Sequence, residues 1–151
     1  MKRRTRLRAL AMAAIAAATL AACADDQPAE ERIRARIESM QTSLSEGRAR
    51  AFMAPIAKDF TATTRNLDRR AAGLLLRREM MAHKRLKARL AKLEIKLQGR
   101  DRATATMHAV LTGGSGLIPD TGGWYRLETG WRLDESEWML ISARWERVAG
   151  T

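Results

Sequence analysis

The chain has 151 residues, a mean hydropathy of −0.35 and a net charge of +11, and it contains a single cysteine. This length fits one domain, and one cysteine excludes an internal disulfide framework. A basic balance often indicates nucleic-acid binding. The N-terminal segment, however, predicts export to a compartment where anionic lipids, lipopolysaccharide or cell-wall polymers are the available counter-charges. We therefore expect no nucleic-acid partner.

Residues 1–22 have the pattern of a secretory signal peptide. Five basic residues lie between Lys2 and Arg8, an apolar run extends from Ala9 to Leu20, and small residues precede Cys23. The run of about a dozen residues is shorter than the roughly 20 that a membrane-spanning helix needs. Removal of this segment takes away five basic and no acidic residues, which lowers the net charge from +11 to +6.

The end of this segment, Leu20-Ala21-Ala22-Cys23, resembles the lipobox of bacterial lipoproteins. The resemblance implies that the signal peptide is cut before Cys23 and that its thiol carries a lipid group, with fatty acyl chains such as palmitate. Cleavage without lipidation and a short membrane segment are the alternatives. Ala24, in place of the aspartate that retains enterobacterial lipoproteins in the inner membrane, favours the outer membrane. Residues 23–28 are then a lipidated tether, and residues 29–149 form the domain.

Three helices are predicted in the first half of the domain. The first is amphipathic and ends at Gly47, a natural C-terminal cap. A shorter helix follows, which Pro55 kinks or ends, and residues 60–64 form a short strand or edge segment. Asn66 or Asp68 can cap the third helix, whose later turns are basic. The inward-facing positions of the three helices are Ile33, Ile37, Met40 and Leu44; Ala49, Phe52, Met53 and Ile56; and Leu67, Ala71, Leu74, Leu75, Ala82 and Leu86.

Two β-hairpins are predicted in the second half. Apolar and polar residues alternate in segments 92–98 and 102–112, which form the first hairpin. Segments 124–133 and 138–148 form the second hairpin, with a turn at Asp134-Glu135-Ser136-Glu137. The Gly-rich residues 113–123 connect the hairpins, and they lack the Lys-Ser/Thr pair of a phosphate-binding loop.

The order of these elements is similar to that of the nuclear transport factor 2-like superfamily, which includes SnoaL-like polyketide cyclases and ketosteroid isomerases. The residues that carry the resemblance are Leu44-Ser45-Glu46-Gly47-Arg48, Phe52-Met53, Asp59-Phe60, Gly130-Trp131-Arg132-Leu133 and Glu137-Trp138-Met139-Leu140-Ile141-Ser142. The resemblance implies an α+β, cone-shaped fold with three N-terminal helices packed on a curved antiparallel sheet. It also implies a pocket between the two layers. Family members are enzymes, small-ligand binders or dimerising modules, so the fold alone does not determine the function.

We expect a ligand pocket beneath the second helix. Its predicted lining is Phe52, Met53, Ile56, Phe60, Met107 and Tyr125, with His108 at or near the polar rim. Met107 and His108 alternate along one strand, so a bulge is needed for both to line the same cavity. No metal site is expected, because the two histidines, His83 and His108, lie on different elements and the thiol is acylated. No cofactor and no complete catalytic set are recognisable.

The four tryptophans recur every seven residues, at positions 124, 131, 138 and 145. In a strand, an odd spacing places successive side chains on opposite faces. In strand 138–148, Trp138 and Leu140 would therefore face away from Met139, Ile141, Ala143 and Trp145. Apolar residues on both faces predict that the outer face is covered, and a homodimer through the sheet is the commonest solution. Structural packing is the favoured role for these tryptophans over ligand stacking.

The favoured function is that of a membrane-anchored periplasmic lipoprotein whose domain binds a small apolar or amphiphilic ligand, or a partner in the envelope. One alternative is a SnoaL-like or isomerase-type enzyme that uses His108 or Tyr125. Another is a dimerising assembly module without a functional pocket.

Overall fold

A computed structural model of the chain describes residues 27–83, 86–113 and 121–149. The predicted signal peptide, Cys23 and most of the tether lie outside these residues, and so does most of the Gly-rich connection. In the described part of the chain, no helix is long and apolar enough to cross a membrane.

Three helices precede the large strands, as the sequence predicts: α1 (Ala29–Ser45), α2 (Ala49–Met53) and α3 (Arg69–Ala82). The backbone of Gly47, just after α1, has a φ of +69°, a conformation that glycine adopts without steric cost. At the start of α3, the Asp68 carboxylate accepts a hydrogen bond of 2.7 Å from the N–H of Ala71. Both predicted caps therefore lie where local sequence chemistry places them, with Asp68 rather than Asn66 capping α3.

Two predicted helix boundaries were wrong. Ile56 is the first residue of a strand rather than part of α2, because Pro55 ends the helical pattern and its carbonyl accepts a hydrogen bond from the N–H of Leu140. Helix α3 ends at Ala82, so Leu86 is not helical. The basic segment that follows enters a strand at Lys87, where pairing with Thr112 replaces helical hydrogen bonds.

Six strands form one sheet in the order β2-β1-β6-β5-β4-β3. Neighbouring strands are antiparallel, except that β1 runs parallel to β6. The two hairpins of the second half are confirmed as β3–β4 and β5–β6. The strand bounds are β1 Ile56–Ala62, β2 Leu67–Asp68, β3 Lys87–Gln98, β4 Arg102–Gly113, β5 Thr121–Asp134 and β6 Glu137–Ala149.

One face of this sheet, the inner face, carries the hydrophobic core. Helix α1 packs on it through the buried side chains of Ile33 and Ile37, which join Trp131 and Trp138 in one cluster. The small side chains that β4 contributes to this face, such as Ala105, leave room for the two large indoles. The opposite, outer face carries many hydroxyl and charged side chains, such as Thr106, Arg126 and Glu128, together with the exposed Trp124.

Trp124 and Trp131 face opposite sides of β5, as predicted, but a bulge in β6 overturns the same prediction for Trp138 and Trp145. The register between β5 and β6 shifts near Ile141, so that Gly130 pairs with Ser142 but Trp131 pairs with Leu140. The extra residue brings Trp145 to the same inner side as Trp138, where it packs against the core. The alternation argument for an apolar outer face therefore fails on this strand.

Candidate functional site

The C-terminal end of α3 meets the end of β4 on the inner face, at the edge of the sheet that we call the loop end. A Cβ atom added to Gly113 would lie 3.1 Å from Cγ of His83, so the imidazole ring rests directly on the bare backbone of this glycine. Any larger residue at position 113 would push the ring away. The sequence thus places a histidine against the sheet where α3 ends.

Tyr125 has the same relation to a second glycine. A Cβ atom on Gly123 would lie only 2.5 Å from Cε2 of Tyr125, so the phenol ring covers the backbone of that residue. Gly123 pairs with Leu111, and Gly113 pairs with Thr121, so the two glycines are diagonal neighbours on β4 and β5. Such neighbours are about 7–8 Å apart. The rings of His83 and Tyr125 therefore cover adjacent patches of one sheet face.

Two charged residues border these rings. Glu79, one helical turn before His83, brings its carboxylate to 3.6 Å from Nε2 of the imidazole. Arg147 lies opposite Tyr125 on β6, and Ala109 lies opposite it on β4. We call Glu79, His83, Tyr125 and Arg147 the loop-end cluster. It combines an imidazole that can move a proton and a phenol that can donate a hydrogen bond with one acidic and one basic side chain.

The residues predicted to line the pocket differ in how deeply they are buried. Three of them, Ile56, Phe60 and Met107, are buried members of the hydrophobic core. Phe52 and Met53 are half-buried at its edge, and Cε of Met53 would lie 3.4 Å from a Cβ atom on Gly73 of α3. Tyr125 is half-buried at the loop end. The structure thus brings all six to the helix-covered side of the sheet, while the pocket itself stays a prediction.

His108 lies on the other side of the sheet. It pairs with Ala91 on β3 and with Arg126 on β5, and no register shift separates it from Met107 on β4. Its side chain therefore faces outward, away from Met107 and Tyr125, instead of standing at the rim of the predicted pocket. His108 and Tyr125, the two alternatives for an enzyme, therefore lie on opposite faces of the sheet.

The outer face holds a shallow depression near His108, bordered by Thr106, Arg126, Glu128, Arg144 and Glu146. Arg144 approaches Glu128 at 3.3 Å across it. Its volume of about 40 Å³ is far below the several hundred cubic ångströms of typical small-molecule pockets. The depression is explained as a gap between salt-bridged surface side chains of β5 and β6.

A charged triad, Asp59, Arg132 and Asp134, also lies on the outer face. The guanidinium of Arg132 donates hydrogen bonds to Asp134 at 2.5 Å and to Asp59 at 2.7 Å. These bonds lower the pKa of both carboxyl groups and raise the pKa of Arg132. Since Asp59 belongs to β1 and Arg132 to β5, this triad links two strands across β6. Both carboxylates are paired with the same guanidinium and are open to solvent, which suits a structural role.

Within residues 27–83, 86–113 and 121–149, no group of three or more His, Cys, Asp or Glu side chains could hold a metal ion. The His83–Glu79 pair is the nearest approach to such a set in the loop-end cluster. It offers two ligands, whereas a zinc site needs at least three from the protein.

No protein-family model matches this chain, and no curated protein matches it in sequence. Solved structures do match. A protein from Novosphingobium aromaticivorans, provisionally described as a scytalone dehydratase, superposes with a TM-score of 0.73 at 11% identity, over 81% of this chain and 85% of that one. The fold is nuclear transport factor 2-like.

Two further structures agree with this assignment. A nuclear transport factor 2-like protein of unknown function from Pseudomonas putida gives a TM-score of 0.67 at 22% identity, over 78% of this chain and 85% of that one. A protein from Streptomyces avermitilis, provisionally described as a dehydratase of the nuclear transport factor 2-like family, gives 0.67 at 12% identity, over 78% and 95%. The predicted α+β fold is thereby confirmed, and these low identities carry the fold alone.

Sequence reasoning did not identify the loop-end cluster. His83 was considered only as a metal ligand, although its spacing of four residues from Glu79 on a helix is a signal for a paired side chain. The contact of His83 with Gly113 joins elements 30 residues apart. No local pattern encodes that contact.

Proposed function

We propose that the mature chain is a membrane-anchored periplasmic lipoprotein whose nuclear transport factor 2-like domain binds a small amphiphilic ligand at the loop-end cluster. The observation that carries the binding proposal is the pair of rings, His83 and Tyr125, seated over Gly113 and Gly123 on the inner face. Because these glycines have no side chains, the two polar rings can lie directly on the backbone at the edge of the apolar core.

The chemistry around the cluster favours a ligand with an acidic head and an apolar tail. His83 and Tyr125 supply hydrogen-bond donors, and Arg147, opposite Tyr125 on β6, adds positive charge to this end of the sheet. Toward the core, the same face continues with the buried side chain of Met107. Leu111, which pairs with Gly123 at the loop end, is partly exposed. Pockets with apolar walls and few polar groups hold ligands of this kind in one orientation.

A binding experiment can use the methionine methyl groups of the full-length protein in lipid nanodiscs. Octanoate supplies an acid with a short tail, and octanol supplies the tail without the acid. We expect octanoate to shift the ¹³C-methyl signal of Met107 on the inner face and to leave that of Met139, which pairs with Arg132 near the β5–β6 turn, unchanged. Arg147→Gln should weaken this response, and Thr106→Val on the outer face should not.

Equal shifts of Met107 and Met139, or no shift of either, would refute the binding proposal. If octanol shifts the Met107 signal as strongly as octanoate does, the proposal that the ligand has an acidic head is refuted. Because Thr106 lies on the outer face, its variant controls for general effects of substitution on the sheet.

The anchoring proposal is supported by the Leu20-Ala21-Ala22-Cys23 pattern and the short apolar run before it. Mass spectrometry of the protein from its own membranes should find a chain that begins at an acylated Cys23. Cys23→Ser should release the protein or leave an uncleaved precursor. Normal processing with unchanged membrane fractionation of this variant would refute lipidation. Separation of inner from outer membranes then tests the expected outer-membrane location.

An enzyme is the second candidate, because His83 pairs with Glu79 and lies beside Tyr125. In a dehydration, His83 would take a proton from the carbon next to a carbonyl while Tyr125 donates a hydrogen bond to the carbonyl oxygen. The bond between the neighbouring carbon and its hydroxyl group then breaks. The imidazolium gives the proton to the departing hydroxide, which leaves as water. Two of the structural neighbours are provisionally described as dehydratases.

Turnover of scytalone by the full-length protein tests this candidate. His83→Gln should lower the rate by about 10²–10⁴-fold, as expected for loss of a general base. His108→Gln is the matched control, because His108 lies on the outer face and its loss should leave the rate unchanged. No turnover by the wild type, or equal losses in the two variants, would rule out this reaction.

We also propose a homodimer through the sheet, but the supporting residues are now charged rather than apolar. The outer face near β5 and β6 presents Arg126, Glu128 and Arg144. A partner copy would therefore make ion pairs and hydrogen bonds there, together with Trp124, which is 55% exposed. Sedimentation of the protein in nanodiscs should give two copies per particle that dissociate at high salt. A strict monomer would refute the dimer.

A further inference from the structure

Helix α3 has an exposed stripe that the sheet and the other helices leave uncovered. Its members are Arg70, Leu74, Arg77, Arg78 and Met81, which share one side of the helix because their spacings are close to whole turns. Leu74 is 56% exposed and Met81 is 80% exposed. The opposite side of α3 is half-buried, and its one buried residue, Gly73, packs against Met53. The helix is thus held to the domain by one side and presents the other to its surroundings.

The composition of this stripe is unlike that of an ordinary solvated helix face. A single exposed leucine needs no explanation. Here, however, two large apolar side chains lie on one line two turns apart, with arginines between them. Glu79, the only acidic residue within α3, lies off the stripe and approaches His83. A basic helix face with exposed apolar residues is typical of helices that lie in the interface of an anionic membrane.

We infer that the exposed stripe of α3 docks this domain onto an anionic phospholipid surface. The apolar side chains of Leu74 and Met81 would enter the boundary between headgroups and acyl chains, and the three arginines would contact the phosphates. This inference rests on the proposed lipid anchor only in so far as the anchor brings the domain to the membrane. Six residue steps separate Cys23 from Ala29, so the tether spans at most about 20 Å. Docking therefore becomes an intramolecular event at a surface that is already close.

This orientation gives the loop-end cluster a source of ligand. His83 directly follows the last residue of α3, and its ring lies on Gly113 at the loop end. When α3 lies on the membrane, this end of the inner face stands next to the lipid surface. An amphiphile with an acidic head can then pass between the bilayer and the cluster over a short path.

A second copy of this chain is the other occupant to consider, and the charges of the stripe argue against it. In a twofold contact through α3, Arg77 and Arg78 of one copy would approach the same residues of the other. Like charges brought together in this way oppose association. An anionic lipid surface instead supplies the counter-charge that all three arginines require.

The test places an environment-sensitive nitrobenzoxadiazole label on Met81→Cys in the full-length protein, reconstituted in vesicles. The vesicles contain phosphatidylcholine alone or with phosphatidylglycerol. We expect the emission to move to shorter wavelength only with phosphatidylglycerol and to return at high salt. Leu97→Cys, on β3, carries the same label as the matched control and should not respond. Arg77→Gln and Arg78→Gln should each weaken docking about fivefold.

Three results would overturn the inference: no shift with phosphatidylglycerol, an equal shift in pure phosphatidylcholine, or an equal response from Leu97→Cys. A shift without lipid that grows with protein concentration would also overturn it and would assign the stripe to a second copy. Lipidation is scored separately, because an unacylated Cys23 takes up a second label that mass spectrometry detects. In that event the labelled chain is made with Cys23→Ser, and vesicles are added to it, so the docking result stands on its own.

Discussion

Replacing Thr129 with valine should destabilise this protein through a single oxygen atom. Thr129 is buried on β5, at 7% exposure. Its hydroxyl donates a hydrogen bond of 3.0 Å to the carbonyl of Ala105 and accepts one of 3.0 Å from Nε1 of Trp131. Trp131 is itself almost completely buried in the core. Valine nearly matches the shape of threonine but leaves the indole N–H without a partner.

The expected cost follows from these contacts. A buried donor left without a partner costs about 1–3 kcal/mol, and a lost neutral hydrogen bond costs about 0.5–1.5 kcal/mol. The Ala105 carbonyl keeps its environment in the β4–β5 ladder, so the indole dominates the loss. We therefore expect Thr129→Val to lower the free energy of unfolding by about 2–3 kcal/mol.

Urea unfolding followed by far-ultraviolet circular dichroism measures this change. Thr129→Ser is the matched control, because it keeps the hydroxyl and removes one methyl group, worth about 1 kcal/mol. Trp138→Phe is a second control. Its Nε1 is buried without a hydrogen-bond partner, so the variant loses packing area but no hydrogen bond. If Thr129→Val is as stable as the wild type, or more stable than Thr129→Ser, the hydrogen-bond explanation is wrong.

Two further predictions concern the outer triad and the loop end. Arg132 lowers the pKa of Asp59 and Asp134, so their contribution to stability is present above the unfolded value of about 3.9 and is lost as the pH falls through the lower folded values. Arg132→Gln should raise both pKa values in a carboxyl ¹³C titration and flatten the acid limb of the stability curve; unchanged titrations would contradict this. Gly123→Ala should displace the Tyr125 ring and cost about 1–3 kcal/mol in urea unfolding, because the new Cβ lies 2.5 Å from Cε2. The cost should shrink in a Tyr125→Ala background, and an equal cost in both backgrounds would assign it to the backbone instead.

The local parts of the fold were predictable because their chemistry lies within a few residues. Gly47 ends α1 through its own positive φ, and Asp68 caps α3 through the N–H of Ala71, three residues later. The two long hairpins were likewise visible from alternation and from the turn residues between their strands. The end of α3 was not predictable, since strand pairing beyond Lys87 outcompetes helical hydrogen bonds in a segment that suits either state.

Side-chain faces were the least predictable feature, because one extra residue reverses them. A register shift near Ile141 places Trp145 on the inner side, and the φ of +53° at Lys92 marks a second shift in β3. Neither isoleucine nor lysine predicts a bulge from the sequence. The candidate site depended on the same kind of non-local information, as the placement of His83 over Gly113 shows.

The parallel pairing of β1 with β6 makes the order of synthesis matter for folding. Ile56 lies beside Leu140, although 84 positions separate them in the chain, and β2 reaches the sheet only through β1. Non-local strand pairs of this kind form slowly, because a long loop must close before they gain any contacts. The strands β1 and β2 therefore have no edge to join until β6 has been made. A chain built in this way keeps β1 and β2 outside the sheet for as long as the residues up to β6 are still being made.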